Sequence, residues 1–255
     1  FTPKALLQFR PDDHTQVYLG ATRGFKSGGL NFGTDVSTFK PETIWAYEIG
    51  AKTEFADDAI ELGVAAFYYD YTNLQLRSAI FTPTGVTVVV NNAGTAKVFG
   101  VEGSLSATLP AGFSIELNGA YLNTELNNFF SPVTFEDLSG INLPFSPEFS
   151  GNAALEYDRD LGNDSAFNAR IEYTYQTEIL FSQFTDLTRE RQDGFGLLNA
   201  SLRYDLPGGL FYVAVIGRNL GAETYLTQRA YYDLFSDLEW YGRPRTVEGR
   251  IGFKL

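Results

Sequence analysis

The sequence has no cysteine, no methionine and a single histidine, His14, in 255 residues. Without cysteine there is no disulfide framework, thiolate zinc site, iron–sulfur cluster or cysteine nucleophile. One imidazole likewise excludes a metal centre that needs two. Basic side chains are few: 19 Lys and Arg against 31 Asp and Glu give a net charge of −12 and an isoelectric point near 4.5. Nucleic-acid binding draws its affinity from cations neutralising phosphates, so no nucleic-acid partner is expected. There is no basic-then-apolar leader, and no apolar run approaches the roughly 18 residues of a spanning helix. No nucleophile elbow, phosphate loop or dinucleotide-binding glycine pattern appears, so neither an enzyme nor a cofactor is expected.

None of these absences excludes a membrane. A β-barrel crosses with alternating segments that keep average hydropathy near neutral, as the mean hydropathy of −0.13 is here. What the chain does have is 22 Phe, 15 Tyr, 2 Trp and 25 Gly. Hydrophobic spacing follows period two almost throughout. From Phe167 to Gln176 one face holds Phe167, Ala169, Ile171, Tyr173 and Tyr175, and the other Asn168, Arg170, Glu172, Thr174 and Gln176. The same division recurs at 149–158, at 99–108, at 45–55 and at 246–255, where Val247, Ile251 and Phe253 oppose Glu248, Arg250 and Lys254.

Turn chemistry at Pro11–Thr15, Ala56–Ala59, Pro110–Gly112, Asp158–Ser165 and Pro207–Gly209 alternates with mostly longer connections at Ser27–Pro41, Thr82–Gly85, Asn127–Phe145, Ser182–Asp193 and Gly221–Gly242. This predicts eleven antiparallel strands, near 4–10, 16–26, 42–56, 59–80, 86–108, 112–126, 146–158, 165–182, 194–206, 209–220 and 243–255, in an up-and-down meander with short turns on one rim. A soluble sandwich, a propeller and a membrane barrel compete for that pattern. No repeat of propeller length is visible. Aromatics cluster near strand ends: Phe9, Phe55, Phe113, Tyr157, Phe167, Tyr204, Phe211 and Phe253 toward one rim, Trp45, Tyr47, Tyr68, Phe99, Tyr121, Phe149 and Tyr175 toward the other. Two such rings are what the two interfaces of a bilayer select, which favours the transmembrane barrel.

A series of short motifs then becomes recognisable. They are Arg23-Gly24-Phe25-Lys26-Ser27-Gly28-Gly29-Leu30-Asn31, Glu42 with Tyr47-Glu48-Ile49-Gly50, Ala66-Phe67-Tyr68-Tyr69-Asp70-Tyr71, and Asn92-Ala93-Gly94-Thr95-Ala96-Lys97-Val98-Phe99-Gly100-Val101-Glu102. Leu143-Pro144-Phe145-Ser146-Pro147, Gly217-Arg218-Asn219-Leu220 with Tyr225, and Gly242-Arg243-Pro244-Arg245-Thr246 complete the set. In this order they resemble the C-terminal half of the barrel of TonB-dependent outer-membrane receptors, along essentially the whole chain. It departs from the family at Gly221-Ala222-Glu223, where an Asp often follows Asn-Leu, and at Leu255, where members commonly end in an aromatic.

The resemblance implies an all-β transmembrane up-and-down barrel of about 22 strands, of which residues 1–255 hold about the last eleven. An odd strand count agrees, since bacterial single-chain barrels have even numbers. The N-terminal plug and the first half of the barrel would lie outside this chain. It further implies a bacterial outer-membrane location and import of a scarce ligand such as an iron–siderophore complex. The partners would be outer-membrane lipid and lipopolysaccharide, the plug and remaining strands, and TonB through an upstream segment. The alternative is a cell-surface β-sheet protein with a structural or adhesive role.

Candidate sites follow from facing and loops. Glu48, Lys52, Glu102, Glu116, Glu156, Arg170, Glu172, Arg203, Glu248 and Arg250 fall on the polar face, where wall–wall and wall–plug pairing competes with a permeation path. Ligand contacts are expected from aromatics and arginines in the long loops: Arg229, Tyr231, Tyr232, Trp240 and Tyr241, then Phe129 and Phe130, then Arg189 and Arg191. His14, Asp57-Asp58 and Asp160–Asp164 read as solvated turns, so no metal site is expected.

Overall fold

The computed structural model describes residues 1–32, 38–82, 85–129, 136–182, 190–232 and 236–253, and for part of the strands at 78–93 and 231–237 the backbone alone. In chain order the strands are β1 (Lys4–Phe9), β2 (Thr15–Lys26), β3 (Gly29–Leu30), β4 (Thr38–Phe39), β5 (Glu42–Phe55), β6 (Ile60–Thr82), β7 (Gly85–Leu109), β8 (Phe113–Asn127) and β9 (Phe149–Gly162). They continue as β10 (Ser165–Gln176), β11 (Ile179–Leu180), β12 (Arg191–Gln192), β13 (Phe195–Asp205), β14 (Phe211–Arg218), β15 (Leu226–Tyr232), β16 (Ser236–Tyr241) and β17 (Thr246–Phe253). Eleven of them form one antiparallel sheet in the order β1-β2-β5-β6-β7-β8-β9-β10-β13-β14-β17. Sequence neighbours are space neighbours, and the sheet is open, with β1 and β17 as its edges. The remaining six make three two-stranded pieces in the long connections.

Short turns form where the residues tolerate a left-handed backbone. Between β5 and β6, Ala56, Asp57 and Asp58 have φ of 57°, 54° and 62°, and the Ala59 amide donates to the Ala56 carbonyl at 3.2 Å. In the first turn the Asp12 carboxylate accepts from the amides of His14 (2.9 Å) and Thr15 (2.6 Å), which holds its carboxyl below the usual range.

Several boundaries differ from the sequence reading. β9 runs on to Gly162, so that only Asn163 and Asp164 turn the chain. β10 stops at Gln176, and Ile179–Leu180 pairs instead with Arg191–Gln192. Thr82–Gly85 is the end of a long hairpin rather than an open loop, because β6 and β7 stay paired up to Thr82 opposite Gly85. Those two strands have 23 and 25 residues, whereas a crossing takes about 9–11, so more than half of the hairpin stands clear of a bilayer. Gly221–Gly242 contains the β15–β16 hairpin.

The apolar face is the open one. Ile251 is 83% exposed, Val247 68%, Ile49 54% and Leu202 52%, and register sets Ile49, Ala66, Val101, Tyr121 and Phe149 in one outward row across β5 to β9. In water such a surface would aggregate; against lipid it is the solvent contact. The polar face holds a matching row, Lys52, Gly63, Ser104, Asn118, Asn152, Thr174 and Leu197, across β5 to β13. Enclosed apolar packing sits above the membrane zone, where Leu74, Ala96, Leu126, Phe129 and Leu138 form a cluster capped by Ile141 and Leu143.

Candidate lumen and ligand rim

Residues of that inner row, with Tyr18, Glu102, Ala120, Ser150 and Gln176 from the adjoining row, line a cavity of about 640 Å³, so the polar face is the concave one. Small residues at Gly63, Ala65, Ser104 and Ala120 keep its centre wide, and the charges sit around it. Arg170 on β10 is the hub: its guanidinium meets Glu116 at 2.8 Å, Glu156 at 3.1 Å and Glu172 at 3.2 Å, on three neighbouring strands. Asn168 supports the cluster by donating to Glu156 (2.6 Å) and Asp158 (2.8 Å). Toward the C-terminal edge, Arg203 forks onto Asp205 and lies 3.8 Å over the Tyr212 ring, while Glu248 is shared by Arg218 (3.4 Å) and Arg250 (2.5 Å). Lys52 faces Glu61 at 3.9 Å. Glu48 accepts the Tyr18 hydroxyl at 2.5 Å, and no cation within 4 Å serves either Glu48 or Glu102 among the described residues.

At the long-loop end, amide side chains stitch the wall together. Asn31 makes a two-bond clasp with the backbone of Val90, both at 2.9 Å. Gln75 Nε2 donates to the carbonyls of Ser27 (2.9 Å) and Lys40 (3.1 Å), and Asn92 exchanges bonds with Lys40 at 2.6 and 3.0 Å. The first long connection is thereby fastened sideways onto β6 and β7. Asn219 does the same on the other side. It is 3% exposed, takes a left-handed φ of 49°, donates to the carbonyls of Glu223 (2.7 Å) and Arg243 (3.1 Å) and accepts from the Glu223 amide at 2.8 Å. Glu223 thus meets this role through its backbone, at the point where the chain departs from the family's usual Asp. The anchored loop holds Tyr225 in a stack on Phe195, centroids 4.5 Å apart, and Gly242 has no side chain because that ring occupies the space.

The ligand candidates are dispersed. On the β15–β16 hairpin, Arg229 stands opposite Glu239 with Nη2 3.2 Å from its carboxylate, and the Tyr241 hydroxyl donates to Glu239 at 2.5 Å. That acceptor pushes the Tyr241 phenol up. Trp240 pairs opposite Gln228, one position along, so it lies on the other face of the hairpin, with Leu238. Of Tyr231 and Tyr232 only the backbone is described. Arg191 is bound to Glu178 at 3.0 Å. Phe129 is 3% exposed inside the loop cluster, which makes it a packing residue. Phe130 and Arg189 lie outside the described residues.

Two features escaped the sequence reading. Phe195 looked like an ordinary strand start until Tyr225 was folded onto it. His14, Glu54 and Asp58 come together at the short-turn rim with possible ligand atoms within 4.8 Å of one another, all exposed. Their spacing across three segments leaves no local signal.

A wall with a greasy exterior, a charged interior and one elaborated rim has the architecture of a membrane β-barrel. The family model described as "TonB dependent receptor-like, beta-barrel" matches residues 1–223, and the chain belongs to that family, whose members are outer-membrane barrels of Gram-negative bacteria. The pesticin receptor of Yersinia enterocolitica is 30% identical over 147 residues, which are 56% of this chain and 20% of that protein. Among solved structures, the ferric yersiniabactin uptake receptor FyuA from Yersinia pestis superposes with a TM-score of 0.79 at 24% identity, covering 98% of this chain and 36% of that one. The siderophore receptor PiuA from Acinetobacter baumannii gives 0.75 at 19%, covering 98% and 35%. The chain thus spans between a fifth and about a third of the length of these relatives, which are receptors and not enzymes.

Proposed function

We propose that this chain is about half of the wall, and part of the ligand-collecting rim, of a TonB-dependent importer for an iron–siderophore complex. The whole barrel would have about 22 strands, with a plug domain inside and a TonB-contacting segment upstream of this chain. The named relatives support the substrate class: one is a ferric yersiniabactin uptake receptor and another a siderophore receptor. The single observation that carries the reading is the unequal pairing of inner carboxylates. Around Arg170, Arg203 and Arg218 acids and bases satisfy one another, whereas among the described residues no cation lies within 4 Å of Glu48, which takes the Tyr18 hydroxyl, or of Glu102, which lines the cavity. A plug seated in the lumen would take both carboxylates out of bulk water, where charges need partners, and Arg or Lys offered by the plug to β5 and β7 would supply them.

The test is uptake of radioactive iron into cells whose only receptor for a given ferric chelate is the full-length protein, with TonB present or deleted. The reading predicts accumulation that disappears without TonB. Equal accumulation in both strains, or none for any catecholate, hydroxamate, phenolate or carboxylate chelate by a correctly assembled barrel, favours the structural or adhesive alternative.

A further inference from the structure

The one histidine of the chain lies where two short turns meet. β2 and β5 are paired down to Thr15 opposite Thr53, and one step further the Glu54 amide donates to the His14 carbonyl at 3.1 Å. Both side chains therefore leave the sheet on one face, two residues beyond Gln16 and Lys52, and Lys52 lines the cavity. The left-handed turn at Ala56, Asp57 and Asp58 brings Asp58 back to them, with Oδ1 3.2 Å from His14 Nδ1. Ligand atoms of His14, Glu54 and Asp58 all lie within 4.8 Å of one another, and among the described residues no other three histidine or acidic side chains converge in this way.

A surface ion pair between His14 and Asp58 accounts for the 3.2 Å contact alone. It does not account for Glu54 or for the charge around it. Segments 11–15 and 54–58 hold five carboxylates, Asp12, Asp13, Glu54, Asp57 and Asp58, with no Lys or Arg in either, and among the described residues none of the five has a Lys or Arg nitrogen within 4 Å. Two donors on one tetrahedral zinc, with bonds of about 2.1 Å, stand about 3.4 Å apart. The His14–Asp58 separation matches that edge, and the exposed Glu54 side chain reaches the third position by rotation. We propose that His14, Glu54 and Asp58 form a zinc-binding site on the short-turn rim. The imidazole decides the metal: a ring nitrogen with two carboxylates suits zinc, whereas calcium and magnesium take oxygen donors. Water completes the coordination, since all three side chains are exposed. The bound ion ties the turn after the edge strand β1 to the turn after β5. The site uses no lumen or loop residue of the import reading, so the two stand or fall separately.

The experiment uses the full-length receptor, purified in detergent without a polyhistidine tag, stripped with chelator and titrated with zinc in a calorimeter. Wild type should show one saturable site that is absent or at least tenfold weaker in His14→Ala, in His14→Gln and in Glu54→Gln with Asp58→Asn. Asp13→Asn with Asp57→Asn removes the same charge from the same turns without touching a ligand, and should keep the site. Calcium or magnesium at the same concentration should not displace the zinc. Cobalt put in place of zinc should give a visible absorption band in wild type that His14→Ala lacks. Two histidine variants cover failure of either one to assemble. No saturable zinc site in wild type, undiminished binding in the histidine variants, or an equal loss in the Asp13 and Asp57 control overturns the proposal and leaves His14 and Asp58 as a surface ion pair.

Discussion

Tyr18 lies across Gly50: a Cβ built on Gly50 would stand 2.5 Å from the Tyr18 ring carbon Cζ. The same fit, an aromatic ring on a cross-strand glycine, recurs where Phe67 covers Gly100 and Tyr212 covers Gly252. In each pair the ring lies flat on the inner face, so glycine here provides space rather than backbone freedom. Laying the ring down also aims the Tyr18 hydroxyl at Glu48.

Gly50→Ala should therefore displace Tyr18, break its bond to Glu48 and cost about 1–3 kcal/mol through overpacking. Gly249→Ala is the control, since a Cβ there meets nothing within 4 Å. Denaturant midpoints of the full-length receptor check both. A Gly50→Ala, Tyr18→Ala double variant should recover part of the loss, because the clash is gone.

Arg170→Ala leaves Glu116, Glu156 and Glu172 facing one another without their shared cation. The expected loss is about 1–2 kcal/mol, a charged-bond value discounted because the side chains are part-exposed. Adding Glu116→Gln and Glu172→Gln should restore much of it, which a double-mutant cycle on unfolding midpoints would resolve.

Asn219→Ala empties a buried position and removes the side-chain bonds that tie the backbone of Glu223 and Arg243 to it. The segment 219–225 should loosen, releasing Tyr225 from Phe195. Limited proteolysis should cut near Glu223 in the variant and not in the wild type, with assembly of the barrel unchanged.

Much of the fold was legible because a sheet has a strict period. At Phe167–Gln176 alternation alone separates lipid face from lumen face, and each strand repeats the test independently. Strand ends were less legible. The extension of β9 to Gly162 and the length of β6 and β7 depend on pairing with neighbours, which no local pattern records. The site was least legible. Arg229 and Arg191 look like free anion anchors in sequence, and both have a carboxylate beside them, Glu239 and Glu178, set there by cross-strand register or by the β11–β12 hairpin. Phe129 reads as an exposed loop aromatic because its partners, Leu74 and Ala96, lie far back in the chain.

The apolar face of this eleven-stranded sheet meets lipid and the polar face lines the lumen. Single cysteines placed in the otherwise cysteine-free chain at Ile171, Ile251, Arg170 and Arg250 test it directly, in the full-length receptor assembled in outer membranes and treated with a lipid-soluble thiol reagent. Strong labelling is expected at 171 and 251, with protection at 170 and 250. Equal labelling of both pairs, or the reverse order, would contradict it.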